Sequence, residues 1–147
     1  MTVKANAVSS LSQRYAGTLL GLACGDALGG PVEFRSREQI AQQFPDGLRE
    51  FVGGGWLGLA PGEVTDDTQM TLALAAALTA DGLDLDRLRR EFLAWYASQP
   101  KDIGNTTRIA LEALDAGTPP LQAGEVAVKA RGVGGSASNG AVMRCAP

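Results

Sequence analysis

The chain has 147 residues, 45% hydrophobic and 20% charged, which are the proportions of an ordinary globular protein with enough apolar mass for one core. A net charge of -3 and a pI near 4.9, with no run of Lys and Arg, argue against a nucleic-acid-binding surface. Histidine is absent, which removes Ser-His-Asp and Cys-His catalysis and the His-containing zinc sites, so any acid or base must be a carboxylate.

Residues 1–9 are small and polar without a period and read as a flexible terminus, which places the domain at 10–147. Ser10 and Gln13 form a capping-box pattern. Leu11, Tyr15, Thr18, Leu19, Leu22, Ala23 and Ala27 then recur at helical spacing and predict a buried helix over 11–28. Gly21 and Gly25 in it would let another helix approach closely. Ala16 to Ala23, ahead of Cys24, has a lipoprotein-signal look, but the run is short, broken by Gly17 and Gly21, and adjoined by Arg14. No other stretch approaches a membrane span, so no membrane partner is expected. Cys24 and Cys145 lack CxxC spacing and read as buried reduced thiols, which suits the cytoplasm.

Ser36 and Gln39 repeat the capping box and open a short helix through Phe44, ended by Pro45 and Gly47. Residues 45–64 read as a glycine-rich loop around Phe51 and Trp56, with a brief strand near 49–52. From Asp66 to about Ala80 nearly every residue is a good helix former, and the alanine content predicts a central helix packed on several sides. Asp84 caps a further helix to about Ser98, whose Leu85, Leu88, Phe92 and Trp95 make a core stripe. Asn105 or Thr106 starts another that ends at Gly117, and Pro119 or Pro120 opens one more to about Arg131. The fold class is therefore all-α.

The chemistry concentrates at Thr65-Asp66-Asp67-Thr68, two adjacent carboxylates bracketed by hydroxyls at the start of the alanine-rich helix. Free N–H groups and the helix dipole favour negative charge there, and an oxygen-only donor set points to Mg²⁺ or Mn²⁺. The plainer alternative is that Thr65 is an N-cap and the aspartates complement the dipole.

Three further segments surround this motif: Gly25-Asp26-Ala27-Leu28-Gly29-Gly30-Pro31-Val32-Glu33 upstream, then Asp102-Ile103-Gly104-Asn105-Thr106-Thr107 and Ser136-Ala137-Ser138-Asn139-Gly140-Ala141-Val142-Met143-Arg144 downstream. In this order and spacing, from about Tyr15 to the last residue, the four resemble the ADP-ribosylglycohydrolase family. The resemblance implies an all-helical bundle with a dinuclear Mg²⁺ or Mn²⁺ site and hydrolysis of the glycosidic bond at the anomeric carbon of ADP-ribose, with an arginine linkage favoured. The substrate would be an ADP-ribosylated protein or a small ADP-ribosyl compound.

By that resemblance the Thr65 hydroxyl and the Asp66 and Asp67 carboxylates ligate metal, with Thr68 in support. Glu33 is the acidic residue of a mobile segment that meets metal or substrate water. Gly135, Ser136, Ala137, Asn139 and Gly140 belong to a loop that cradles the diphosphate and distal ribose, ahead of a helix starting at Ala141 that would offer N–H groups to phosphate. Asp26 is expected to be structural, satisfying nearby backbone or an Arg. Asn105 and Thr106 start a helix in support of the site. Glu33, Asp66 and Asp67 are the catalytic candidates, although metal ligation of the aspartates would leave Glu33, or a residue absent from this sequence, as the base. The family's second acidic motif, Asp-x-Asp-Thr or similar, has no match in this sequence. That predicts an incomplete bundle needing a complementary C-terminal chain or self-association, or else a catalytically inactive ADP-ribose-binding or scaffolding remnant.

Overall fold

The computed structural model describes residues 10–135 and 138–145. The expected flexible segment at 1–9, together with Ser136 and Ala137, lies outside them. The described chain is helical, in the order α1 (Leu11–Gly29), α2 (Arg37–Gln43), α3 (Asp66–Ala76), α4 (Leu85–Ala97), α5 (Asn105–Asp115) and α6 (Pro120–Gly135). One small antiparallel ladder joins β1 (Leu78–Thr79) to β2 (Gly82–Leu83), with Leu78 opposite Leu83 and Thr79 opposite Gly82. Short 3₁₀ turns at Gly30–Val32 and Asn139–Ala141 complete the order.

The helix starts follow local side-chain chemistry. Ser10 Oγ accepts from the Gln13 N–H while Gln13 Oε1 accepts from the Ser10 N–H, and Ser36 and Gln39 repeat the reciprocal pair at α2. Asp84 Oδ1 accepts from the Arg87 N–H at 2.9 Å and starts α4. The α5 helix stops where Gly117 takes φ 96°, with Thr118 N–H donating to Ala113 O and Gly117 N–H to Leu114 O. This double bond pattern satisfies the last carbonyls of the helix and requires the left-handed conformation that glycine adopts without a Cβ clash. Regular helix in α6 gives way at Gly132, where φ is 70° and ψ 165°.

The core forms where α3, α4, α5 and α6 meet. Met70, Trp95, Leu111, Leu114 and Ala123 are buried together, with Phe92, Leu93, Tyr96, Ile103 and Met143 packed around them. Trp95 is fixed by its indole N–H, which donates to Gln69 Oε1 at 2.7 Å, so the ring and its polar atom are satisfied at once. Phe92 and Trp95 thus serve the core as their spacing implies.

Four expectations are corrected. The α1 helix is largely exposed: Ala27 is its buried residue, Tyr15 is 63% exposed, and nothing lies within 4 Å of a Cβ built at Gly21 or Gly25. Cys24 and Cys145 are free thiols at exposed positions. The α3 helix ends at Ala76 instead of near Ala80, because residues 78–83 pair as the β ladder around Gly82 at φ 120°. No strand occupies 49–52; the pairing in that loop is instead between Gly54 and Leu59, which exchange two backbone hydrogen bonds. None of the described helices is long and apolar enough to cross a membrane.

Candidate active site

The site is assembled where the end of α1 meets the start of α3. Asp26, in the last turn of α1, reaches across to the first turn of α3 and accepts four hydrogen bonds. Its Oδ2 takes the Thr65 N–H at 2.8 Å, the Thr68 N–H at 3.1 Å and the Thr68 hydroxyl at 2.6 Å, and its Oδ1 takes the Thr65 hydroxyl at 2.7 Å. Thr65 stands at the N-cap position of α3 but makes no capping hydrogen bond with its own side chain. Asp26 accepts the Thr68 N–H from another helix, so Thr65 is the N-cap in position but not through its side chain, and the expectation that Asp26 satisfies nearby backbone holds.

An open cavity of about 310 Å³ lies beside this junction, lined among others by Asp26, Gly30, Glu33, Thr65, Asp67 and Asn139. Glu33, Thr65, Asp67 and Asn139, four residues singled out in the sequence, therefore share one concavity although they span 107 positions between first and last. Glu33 follows the 3₁₀ turn at Gly30–Val32, is exposed, and accepts from the Trp56 indole N–H at 3.0 Å. The loop carrying Trp56 fits tightly against that turn, since a Cβ at Gly55 would come within 2.9 Å of Pro31 Cα. Phe34 takes φ 60°, uncommon for an aromatic residue, and stacks obliquely on Trp56 with ring centroids 5.6 Å apart.

Asp66 and Asp67 open α3, with Asp66 buried and Asp67 half-buried. Burial is the largest cause that lifts the Asp66 carboxyl from an ordinary 3.8 to about 6, and the Asp102, Asp67 and Glu33 charges push the same way. Asp67 is also raised, first by burial and then by the charges of Asp26 and Glu33. Asp102, in the α4–α5 connection, is raised by burial. The Asp102 carboxylate belongs to this acidic field, which its quoted segment signalled only through neighbouring Asn105 and Thr106. Its remoteness in sequence from Asp66 left no local sign of the coupling.

Arg144 lies within electrostatic reach of Asp66. Its guanidinium sits 5.2 Å from the Phe92 ring centroid and touches Met70 Sδ, burial lowers its pKa, and the Asp66 charge opposes that shift.

Asn139 and Gly140 form the 3₁₀ turn expected to precede a helix at Ala141; the turn ends at Ala141 and no α-helix follows through Cys145. Gly140 is pressed on α5, where an added Cβ would come within 2.7 Å of Thr107 Oγ1. Gly135 is the last residue of α6. Asn105 starts α5 as anticipated, with Gly104 at the N-cap.

The donors fit a hard divalent cation in kind: two carboxylates and a hydroxyl on one helical turn, crowded by like charge. Mg²⁺ characteristically takes one or two carboxylates and keeps several waters. Among the described residues no three Asp, Glu, Cys or His side chains converge as a cage.

The chain matches the sequence profile of ADP-ribosylglycohydrolases over residues 7–147. It is 45% identical over 141 residues to the ADP-ribosyl-[dinitrogen reductase] glycohydrolase of Rhodospirillum rubrum, covering 94% of this chain and 44% of that one. It is 42% identical over 104 residues to the ADP-ribosylarginine hydrolase Tri1 of Serratia proteamaculans, covering 65% and 27%, and 34% identical over 148 residues to YegU, an uncharacterized protein of Escherichia coli, covering 92% and 41%. The chain thus spans less than half the length of these relatives. With the profile matched over nearly the whole sequence and three of the four quoted motifs lining one cavity, this chain belongs to the ADP-ribosylglycohydrolase family.

Proposed function

We propose that this chain supplies the acidic part of a metal-dependent hydrolase site that removes ADP-ribose from a modified side chain, with arginine as the favoured linkage. The observation that carries the reading is the cavity shared by Glu33, Thr65, Asp67 and Asn139 beside buried Asp66. Relatives named for ADP-ribosyl dinitrogen reductase and ADP-ribosylarginine support the substrate class.

Thr65, Asp66 and Asp67 would hold Mg²⁺ or Mn²⁺, which when bound supplies positive charge to position ribose hydroxyls and a water. Glu33 is the exposed carboxylate at the cavity and takes the proton of the attacking water. Water oxygen bonds to the anomeric carbon as the carbon–nitrogen bond breaks, and the leaving guanidine nitrogen ends protonated. The clustered carboxylates face the positive charge that develops on the sugar. Asn139 and the Gly140 backbone offer donors to the diphosphate side of the ligand, as would Gly135, Ser136 and Ala137 by family resemblance. Because the described carboxylates form no three-membered cage, the reading includes further acidic ligands from a complementary chain or a second copy. Free exposed thiols at Cys24 and Cys145 suit a reducing cytoplasm.

The same lack of a three-membered cage among the described residues favours one second reading, a catalytically inactive ADP-ribose-binding protein. Release of ADP-ribose from ADP-ribosylarginine by the purified chain, with Mg²⁺ or Mn²⁺ against a chelator, separates the two. Metal-dependent release lost in Asp66→Ala and Asp67→Ala supports the hydrolase. Absence of release, alone and with an added chain carrying a second acidic motif, together with retained ADP-ribose binding, supports the inactive binder.

A further inference from the structure

We propose that Asp26 is a positioning residue that prepares the Thr65 hydroxyl to bind the cation; the inference rests on the metal reading of the Thr65-Asp66-Asp67 turn. An N-cap threonine ordinarily turns a lone pair of its hydroxyl oxygen back to the N–H of the third helical residue. Here that N–H belongs to Thr68 and is taken by Asp26 Oδ2, which also takes the Thr65 N–H and the Thr68 hydroxyl. Thr65 is thereby released from capping, and its hydroxyl proton is directed to Asp26 Oδ1 at 2.7 Å.

Two consequences follow for the oxygen. With its proton committed to Asp26, both lone pairs of Thr65 Oγ1 are left for other partners, and the residue lines the same cavity as Asp67 and Glu33. A charged acceptor also polarises the O–H bond, which makes the oxygen a better ligand for a hard cation; groups that orient a ligand in this way are commonly worth 10- to 100-fold in metal affinity. Thr65 is 8% exposed, so water does not compete freely for the proton and the orientation is held.

Asp26→Asn separates this role from capping. The amide oxygen can still accept from the three donors gathered at Oδ2, so α3 keeps its start, while the amide N–H₂ group meets Thr65 Oγ1 and forces the hydroxyl to accept. One lone pair is consumed and the polarising charge is lost.

The test is Mn²⁺ binding by calorimetry to the full chain, to Asp26→Asn, to Thr65→Val and to the double variant, with thermal melts of all four in chelator. We expect Asp26→Asn to weaken Mn²⁺ about tenfold or more with a melting temperature close to the parent. The same change in the Thr65→Val background should cost less than about threefold, because no hydroxyl remains to be oriented. Equal losses in both backgrounds would mean that Asp26 acts through its charge alone and would overturn the inference, as would a loss matched by a comparable fall in melting temperature. No Mn²⁺ binding by the parent chain, either alone or with an added chain carrying a second acidic motif, would overturn the metal reading itself, and this inference with it, whereas parental binding that survives Asp26→Asn unchanged would overturn only the role of Asp26.

Discussion

The Trp56 indole N–H donates to Glu33 Oε2 at 3.0 Å, which ties the carboxylate at the cavity to the loop that flanks it. The aromatic residues of this loop do more than anchor it to the core: Trp56 is 56% exposed and packs on Phe34, itself 82% exposed, so the contact is made at the surface around Glu33. A carboxylate with one oxygen held by a neutral donor keeps the other free to accept a proton.

Trp56→Phe should therefore retain the ring contact with Phe34 while freeing Glu33. On the proposed function, turnover of ADP-ribosylarginine should fall by up to about a hundredfold, the scale of losing orientation at a reacting centre, with the melting temperature nearly unchanged. A steady-state comparison in which KM alone rises would point to Trp56 as a substrate contact instead of a positioning group for Glu33.

The Asp66 carboxyl predicts how stability depends on pH. Its folded value of about 6 lies above an ordinary 3.8, so the protonated form is favoured by folding. That contribution is complete below about pH 4, is lost as pH rises through the folded value, and is absent at pH 7. After allowance for solvent screening the effect is on the order of 1 kcal/mol. In chelator, the parent should lose melting temperature between pH 4 and pH 6.5 more steeply than Asp66→Asn, whose amide cannot ionise. Mn²⁺ should restore the parent at pH 7 and do little at pH 4.5, and parallel curves for parent and variant would refute this account.

How much of this was legible in the sequence depends on range. Ser10 with Gln13, Ser36 with Gln39, and Asp84 with Arg87 are contacts three residues apart, and each marks a helix start at the position its chemistry predicts. The end of α3 was not legible, because alanine and leucine continue past Ala76 while the pairing of residues 78–83 with one another overrides their helical preference. The exposure of α1 was hidden for a related reason: periodicity identifies an apolar face but does not supply the element that covers it. Thr65, Asp66 and Asp67 could be singled out from their motif. The bonds from Asp26 span 39 and 42 residues, and the Asp102 field reaches Asp66 from another connection, so both required the fold.

Met70 links the core to the site. It is fully buried among Trp95, Leu111 and Leu114, and its sulfur touches the Arg144 guanidinium, which feels the Asp66 charge. Met70→Ala should cost about 2–5 kcal/mol in denaturant unfolding, whereas Met70→Leu should cost under about 1.5 kcal/mol because volume is retained. If the alanine variant proves nearly neutral, α3 is not packed as tightly on α4 and α5 as its burial states.

Gly140 and Thr107 give a prediction that isolates one contact. A Cβ at Gly140 would come within 2.7 Å of Thr107 Oγ1, closer than any unstrained packing, and Thr107 is buried on the α5 face with a β-branched side chain restricted at χ1. Gly140→Ala should therefore lift the turn at Asn139–Ala141 off α5 and weaken ADP-ribose binding by a few fold, with about 1–3 kcal/mol of strain. Thr107→Ala removes the opposing oxygen and supplies the space that the new methyl needs. The double variant should then regain most of the stability and the affinity lost by Gly140→Ala alone, a positive coupling that a double-mutant cycle reads directly. Additive losses in the cycle would show that Gly140 is required for its backbone conformation or for close approach of the ligand, and not for its contact with Thr107.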